Sequence, residues 1–272
     1  MNYKIGFIGA GHIASAMING LVNSGNYLPK DICIYDPDGE KTVKFQAQGF
    51  RILSDELAVV NGATYVFLAV RPNILTSVLK KIIPALTIKN VLISVAAGIS
   101  ISYIKRMTRI ETKVIRVMPN TPVSIGVGAT ALAYDMPVTY RELSEVRDMF
   151  ETVGTVEILP EERMNEVISL NSSSPVYVYM LIHAMIEGAK NQGIDGEIAR
   201  RMAVQTVLGA AKMIESSDED ISNMIKNICT PNGTTIKAVE YLEKRGFEQA
   251  IGDAMLSCTK RAALIEKEIE EN

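Results

Sequence analysis

Through the first 158 positions, short apolar and largely β-branched runs alternate with stretches of helical pattern, and no other feature of the sequence narrows its fold so far. The runs cover residues 4–8, 32–35, 65–69, 91–95, 114–118, 129–133 and 156–158. Many lack polar–apolar alternation, the mark of strands covered by helices on both faces. Helical spacing over 13–24, 73–79 and 141–150 supplies such covers. Repeated strand–helix–strand units predict an α/β fold with a doubly wound, mostly parallel sheet. After Pro160 the strand signals stop, and helices are expected over about 161–170, 175–192, 195–215, 218–226 and 234–244, with a tail from Phe247. Pro175 suits a first helical turn and Gly193 a helix stop. The 272 residues are thus expected to form two domains, 1–160 and 161–272, the second all-α.

Gly9-Ala10-Gly11-His12-Ile13-Ala14 follows the first strand run and opens the first helix. In that setting the first glycine permits a tight turn and the second lets backbone approach a pyrophosphate, while a small third residue, Ala14, brings helix and strand together. The helix N-terminus adds N–H donors and the positive end of its dipole. Gly9, Gly11 and the backbone N–H groups of His12 and Ile13 are therefore candidate dinucleotide contacts, with the His12 side chain expected in solvent and outside the chemistry. Asp36, 22 residues past Ala14 and just beyond the second run, has the position of an acid that accepts hydrogen bonds from an adenosine ribose. Pro37, Asp38, Gly39 and Glu40 come next, with Lys41 the nearest following cation, and this acidic surrounding favours NADH over NADPH.

Composition excludes several other classes. The formal net charge is −3 with no basic block, so nucleic acid is not an expected partner. Three cysteines, Cys33, Cys229 and Cys258, form no CxxC pair and argue against a disulfide scaffold or a structural zinc. Two histidines, His12 and His183, leave little material for a Ser–His–Asp triad or a His-rich metal site, and His183, on an apolar helix, is expected in a packed core. Residues 167–186 are long and uncharged enough for a membrane span, but Ser169-Leu170-Asn171-Ser172-Ser173-Ser174-Pro175 does not suit a lipid-facing helix. With no secretory leader ahead of the first strand, a soluble cytoplasmic protein is expected. The helices near 176–186 and 203–214 are apolar or small nearly all round, apart from Gln205, Thr206 and Lys212. Such helices must be surrounded, and a small helical domain has too little interior for both, so a homodimer with interleaved helices, or an oligomer of such dimers, is expected.

Several segments together resemble the pyrroline-5-carboxylate reductase family. They are Gly6-Phe7-Ile8-Gly9-Ala10-Gly11, Phe67-Leu68-Ala69-Val70-Arg71-Pro72, Ile93-Ser94-Val95-Ala96-Ala97-Gly98-Ile99 and Val114-Ile115-Arg116-Val117-Met118-Pro119-Asn120-Thr121-Pro122. The helical half contributes the segment from Ala203 to Met213 and Pro231-Asn232-Gly233-Thr234-Thr235. The Met-Pro-Asn-Thr-Pro and Pro-x-Gly-Thr-Thr pieces are the most specific. The resemblance implies a Rossmann-type domain followed by an all-α dimerisation domain, and an NAD(P)H-dependent reduction of 1-pyrroline-5-carboxylate, a cyclic imino acid, to L-proline. By the same resemblance Ala69, Val70, Arg71 and Pro72 line the dinucleotide, Ala96, Ala97 and Gly98 approach its nicotinamide side, and Asn120 lies at the same sheet edge. Substrate contacts fall on Ser173 and on the loop from Asn227 through Gly233, Thr234 and Thr235, where a helix start binds the carboxylate and Thr235 offers a hydroxyl to the ring nitrogen.

The chemistry implied suits the residues. Carbonyl reduction needs a strong acid for the developing alkoxide, and no Lys or His stands where that role is plain. A cyclic imine is basic enough to be protonated near neutrality, so the protein has only to align the iminium carbon, hold the carboxylate and exclude water, with Thr235 as the catalytic hydroxyl. Departures fall on the substrate side: the family's usual Ser-Gly-Ser-Gly-Pro-Ala-Tyr is Asn171-Ser172-Ser173-Ser174-Pro175-Val176-Tyr177, a common acid is Asn165, and the usual Pro-Gly-Gly is Pro231-Asn232-Gly233. Serines are expected to reshape the loop if the lost glycines took φ > 0, whereas Asn232 tolerates left-handed geometry. A reductase of another cyclic imino acid, and a dinucleotide-binding regulatory relative with a drifted substrate loop, are the alternatives.

Overall fold

The computed structural model describes residues 3–271, which form two compact units, 3–173 with 256–271, and 174–255. In the first, eight strands form one sheet: β1 (Tyr3–Ile8), β2 (Ile32–Tyr35), β3 (Arg51–Ile52), β4 (Ala63–Leu68), β5 (Val91–Ser94), β6 (Lys113–Met118), β7 (Gly128–Tyr134) and β8 (Gly154–Ile158). The order is β3-β2-β1-β4-β5-β6-β7-β8, parallel except where β7 runs antiparallel to β6. The chain leaves β1 in one direction and returns on its other side at β4, so the crevice beyond the carboxyl ends of β1 and β4 is the switch point where such sheets bind ligands. The two-residue β3 went unforeseen because so short an edge strand carries no periodicity.

Seven α-helices lie wholly in this unit: α1 (His12–Asn23), α2 (Glu40–Ala47), α3 (Glu56–Gly62), α4 (Pro72–Ile82), α5 (Ile101–Met107), α6 (Tyr140–Glu151) and α7 (Met164–Val167). One sheet face meets α1 and α6 through Phe7, Phe67, Met17, Ile18, Val146 and Phe150, with Phe7 and Phe67 stacked at 4.5 Å. The other meets α3, α4 and α5 through Leu68, Leu92, Val59, Leu75 and Ile104. Covers on both faces explain the unbroken apolar runs. Cys33 lies in this second layer, and burial pushes its thiol up to about 12, which leaves it unreactive.

The compact units part at 173/174 and 255/256. Met164 and Ile168 are buried in the core of the sheet unit, as is Ala262 from the far end of the chain, so burial joins these segments to the sheet. The helix expected over 161–170 is divided into a 3-10 turn (Glu161–Arg163), α7 and a π-helical turn (Ile168–Ser172). The second unit contains α8 (Ser174–Asn191), α9 (Gly196–Glu215), α10 (Ile221–Ile228), α11 (Thr234–Lys244) and the beginning of α12 (Phe247–Glu270). α10 starts three residues later than expected because Asp220 caps it, accepting from the Ser222 N–H at 2.8 Å. α8 packs on α9, yet α8 has no buried residue, and Met180, Met202 and Leu208 are 67%, 63% and 47% exposed. His183 is likewise exposed in the single chain, contrary to the packed core expected of it. Among the described residues no helix is long and apolar enough to cross a membrane.

Candidate active site

The turn after β1 is shaped for a close ligand. Gly9 takes φ 103°, and a Cβ there would lie 2.5 Å from the Ala69 carbonyl oxygen, so both conformation and the approach of the β4 end require glycine. Its N–H donates to the Tyr35 carbonyl at 2.7 Å. Gly11 caps α1 in extended conformation, with no side-chain cap and no acid in the first turn, and the space where its Cβ would project is open. The first-turn N–H groups, including those of His12 and Ile13, therefore keep their capacity for an anion. The His12 side chain is exposed, and Ala14 is fully buried where α1 meets the sheet.

Asp36 is built into this turn. Its Oδ2 accepts from the Ala10 N–H at 2.8 Å and its Oδ1 from the Asp38 N–H at 2.9 Å, with Lys41 Nζ 3.4 Å from Oδ1. The side chain is only 7% exposed. The acid thus sets the shape of the glycine turn, a task that sequence spacing did not reveal. Lys41 also lies 3.4 Å from Asp38, and Asp36 beside it raises the ammonium pKa.

At the neighbouring strand ends, Ala69 donates its N–H to the Ile8 carbonyl at 2.9 Å, Val70 is half-buried, and the exposed Arg71 precedes Pro72, the first residue of α4. Ala96 is buried and Ala97 half-buried. Gly98 takes φ 68°, and a Cβ there would lie 2.9 Å from the Ala262 carbonyl oxygen of α12, so packing alone already demands glycine. Asn120 turns into its own loop: its Oδ1 accepts from the Ala129 N–H at 2.9 Å and its amide donates to the Asn171 carbonyl at 3.2 Å. Beneath this edge Arg116 is 1% exposed in β6, donating to Asn165 at 2.7 Å and lying 3.5 Å from Glu161 and 3.9 Å from Glu266. Burial lowers its pKa while Glu266 and Glu161 pull it back. An arginine between Ile115 and Val117 was the signal for this cluster.

The second unit carries the other candidates. Gly233 caps α11 without any side-chain cap, its N–H donating to the Thr230 carbonyl at 3.0 Å. A Cβ on it would lie 2.5 Å from Thr230 Oγ1. Asn232 takes φ 61°, the left-handed value asparagine tolerates. Thr234 and Thr235 are the first two helical residues, both exposed, with no acid in that turn; Thr234 is not the cap. Asn227 is exposed and donates its amide to Glu219 at 2.7 Å. Ser173 closes the first unit, with Oγ 3.2 Å from Cys258 Sγ.

Residues 161–265 match the family described as pyrroline-5-carboxylate reductase dimerisation, and residues 4–98 that described as NADP oxidoreductase, coenzyme F420-dependent. Pyrroline-5-carboxylate reductase of Escherichia coli strain K12 is 34% identical over 268 residues, 98% of this chain and all of the relative. The chain belongs to the pyrroline-5-carboxylate reductase family. Pyrroline-5-carboxylate reductase 3 of Danio rerio is also 34% identical, over 95% of this chain and 90% of the relative. The crystal structure of Plasmodium falciparum pyrroline carboxylate reductase with NADP bound has a TM-score of 0.92 at 27% identity, covering 97% of this chain and 98% of that one. Against the reductase pattern, the replaced glycines at 172 and 174 cause no backbone strain, because Asn232 is the only described non-glycine residue with positive φ. Residues 168–172 form a π-helical turn, and Ser174 opens α8.

Proposed function

We propose that this protein reduces 1-pyrroline-5-carboxylate to L-proline with NAD(P)H, and that its active form is a homodimer. The observation that carries the reading is the uncapped, acid-free start of α1 beside an open Gly11, a cradle that fits a pyrophosphate, in a chain related to pyrroline-5-carboxylate reductases along nearly its whole length. The reduced dinucleotide, when bound, supplies the hydride. Gly9, Gly11, His12 and Ile13 would bind its phosphates through backbone, and Ala69–Pro72, Ala96–Gly98 and Asn120 form the sheet edge along which it would lie. Asp36 would accept from the ribose diol and, by its charge, favour NADH over NADPH. The substrate carboxylate suits the N–H groups opening α11, with the hydroxyl of Thr235 orienting the ring nitrogen and its proton; Asn227, Gly233, Thr234 and Ser173 complete the substrate contacts. Since the iminium carbon already accepts hydride, these residues need only position, bind and exclude water. The exposed apolar faces of α8 and α9, within the segment that matches the dimerisation family, support the partner subunit as their cover.

Purified protein mixed with 1-pyrroline-5-carboxylate and NADH or NADPH should consume the nicotinamide absorbance and yield proline, faster with NADH. No oxidation with either cofactor, alongside intact dinucleotide binding, overturns the reading in favour of a regulatory relative. Oxidation only with a six-membered imino acid reassigns the substrate.

A further inference from the structure

The π-helical turn before Ser173 is held by a buried clasp that the proposed chemistry does not use. Asn171, 6% exposed, donates its amide to the Met118 carbonyl at 2.6 Å and to the Ala129 carbonyl at 3.1 Å. Met118 ends β6 and Ala129 is the second residue of β7, so one carboxamide bridges the mouth of the loop between two strands. Its own Oδ1 accepts from the Ser172 hydroxyl at 3.0 Å, and its backbone carbonyl accepts from the Asn120 amide at 3.2 Å. Ser172 Oγ also lies 3.0 Å from the Pro119 carbonyl. The turn is completed by the Ser173 N–H donating to the Ile168 carbonyl at 2.9 Å, the wide spacing of a π-turn.

We propose that Asn171 is a positioning residue for the imino acid: by clasping β6, β7 and the Asn120 loop it fixes the turn that sets the Ser173 hydroxyl. The inference rests on the substrate role proposed for Ser173. Asparagine suits the task because it offers two donors on one planar group to two carbonyls. Serine has a single donor and a side chain shorter by roughly one bond, about 1.5 Å, so it leaves at least one of the two carbonyls without this partner. An unclasped turn would still form from its backbone bonds but would wander. Looser placement of a hydroxyl that holds the bound imino acid and its transition state alike weakens binding without slowing the step, so the cost falls on KM. The dinucleotide cradle at Gly9–Ile13 shares none of these hydrogen bonds. Asn120, which the clasp shares with the proposed dinucleotide edge, is tied to the Asn171 carbonyl and the Ala129 N–H, backbone groups that Asn171→Ser retains, so dinucleotide affinity should be indifferent to the carboxamide.

The test compares wild type, Asn171→Ser, Ser173→Ala and the double variant. KM and kcat for 1-pyrroline-5-carboxylate are measured beside the dinucleotide Kd from nicotinamide fluorescence. Asn171→Ser should raise KM roughly five- to tenfold with kcat and dinucleotide Kd within about threefold, and the double variant should add little to Ser173→Ala alone. Full additivity with Ser173→Ala, an unmoved KM, or an equal loss of dinucleotide affinity overturns the proposal. If Asn171→Ser does not fold, Ser172→Ala, which removes only the hydroxyl tie, must raise KM about two- to threefold with Kd unmoved, and an unmoved KM is then the overturning result. A wild-type protein inactive on this substrate refutes the proposed reaction itself, and an unmoved KM in Ser173→Ala with active wild type refutes the role of Ser173 and the clasp with it.

Discussion

Replacing Asp36 with alanine should loosen the glycine turn and shift cofactor choice together. Two backbone N–H groups lose a charged acceptor, that of Ala10 at 2.8 Å and that of Asp38 at 2.9 Å. A hydrogen bond to a charged group contributes about 1.5–3 kcal/mol, and water replaces such a partner readily only where it has access. The Asp38 bond is exposed and the Ala10 bond part-buried, with the Asp36 side chain 7% exposed, so the Ala10 bond should dominate. A net loss of about 2 kcal/mol follows, or a fall in Tm of about 4–8 °C for a domain of this size. The Lys41 pair contributes little, because that lysine is solvated. The assay is calorimetric unfolding of the ligand-free protein beside fluorescence titrations with NADH and NADPH. Both Kd values should rise as the turn loses preorganisation, that of NADH more, since the ribose acceptor is lost and the repulsion of a 2′-phosphate relieved. A Tm within 1 °C of wild type (about 0.5 kcal/mol or less by the same conversion), with an unchanged ratio of the two Kd values, would refute the reasoning.

Four further outcomes are expected. Thr235→Ala should lower kcat by about ten- to a thousandfold with an unchanged melting curve, since Thr235 is exposed; total loss of turnover in a folded protein tells against iminium reduction. Gly20→Ala places a Cβ on the Val123 carbonyl oxygen and should cost about 1–3 kcal/mol by overpacking despite a gain in helix propensity, read from the urea midpoint, with a stabilised variant as the contrary result. Met180→Glu with Leu208→Glu should give monomers by light scattering and abolish turnover, whereas a persisting dimer would place the interface elsewhere. The hydrogen bond from Lys105, at 2.7 Å, holds the Asp135 carboxyl below its ordinary value of 3.8. A carboxylate depressed in the folded state stabilises above the unfolded pKa, and that stability is lost as pH falls through the folded value. The stability difference between wild type and Asp135→Asn should therefore be full at pH 6 and shrink below about pH 4, and a difference independent of pH refutes the pairing.

Much of the architecture was legible because its causes are local. Seven of the eight strands could be read from short β-rich runs; in β1, β2 and β4–β7 burial on both faces removes the alternation that water would impose, whereas β8 is largely exposed. The start of α1 was legible for a similar reason: Gly9 and Ala14 answer steric demands of one short turn, and Gly11 leaves open the space through which a pyrophosphate would approach. The start of α11 at Thr234 was announced by turn residues within three positions. The second role of Asp36 was hidden, because a bond to Ala10 spans 26 positions and spacing alone does not tell an acid that faces a ligand from one that faces backbone.

What the amino-acid order determined by itself is the alternation of elements, the glycine turn, the change to helices after Pro160 and the apolar helices that demand a partner. Tertiary structure alone decided where the units part, because Met164, Ile168 and Ala262 are claimed by a sheet core assembled from distant segments. It also decided that Asn120 faces inward and that Asn171 closes the loop between β6 and β7, where buried carbonyls found a donor some fifty residues away. Local pattern records what a residue prefers, but a buried polar group is satisfied by whichever partner the completed fold brings within reach.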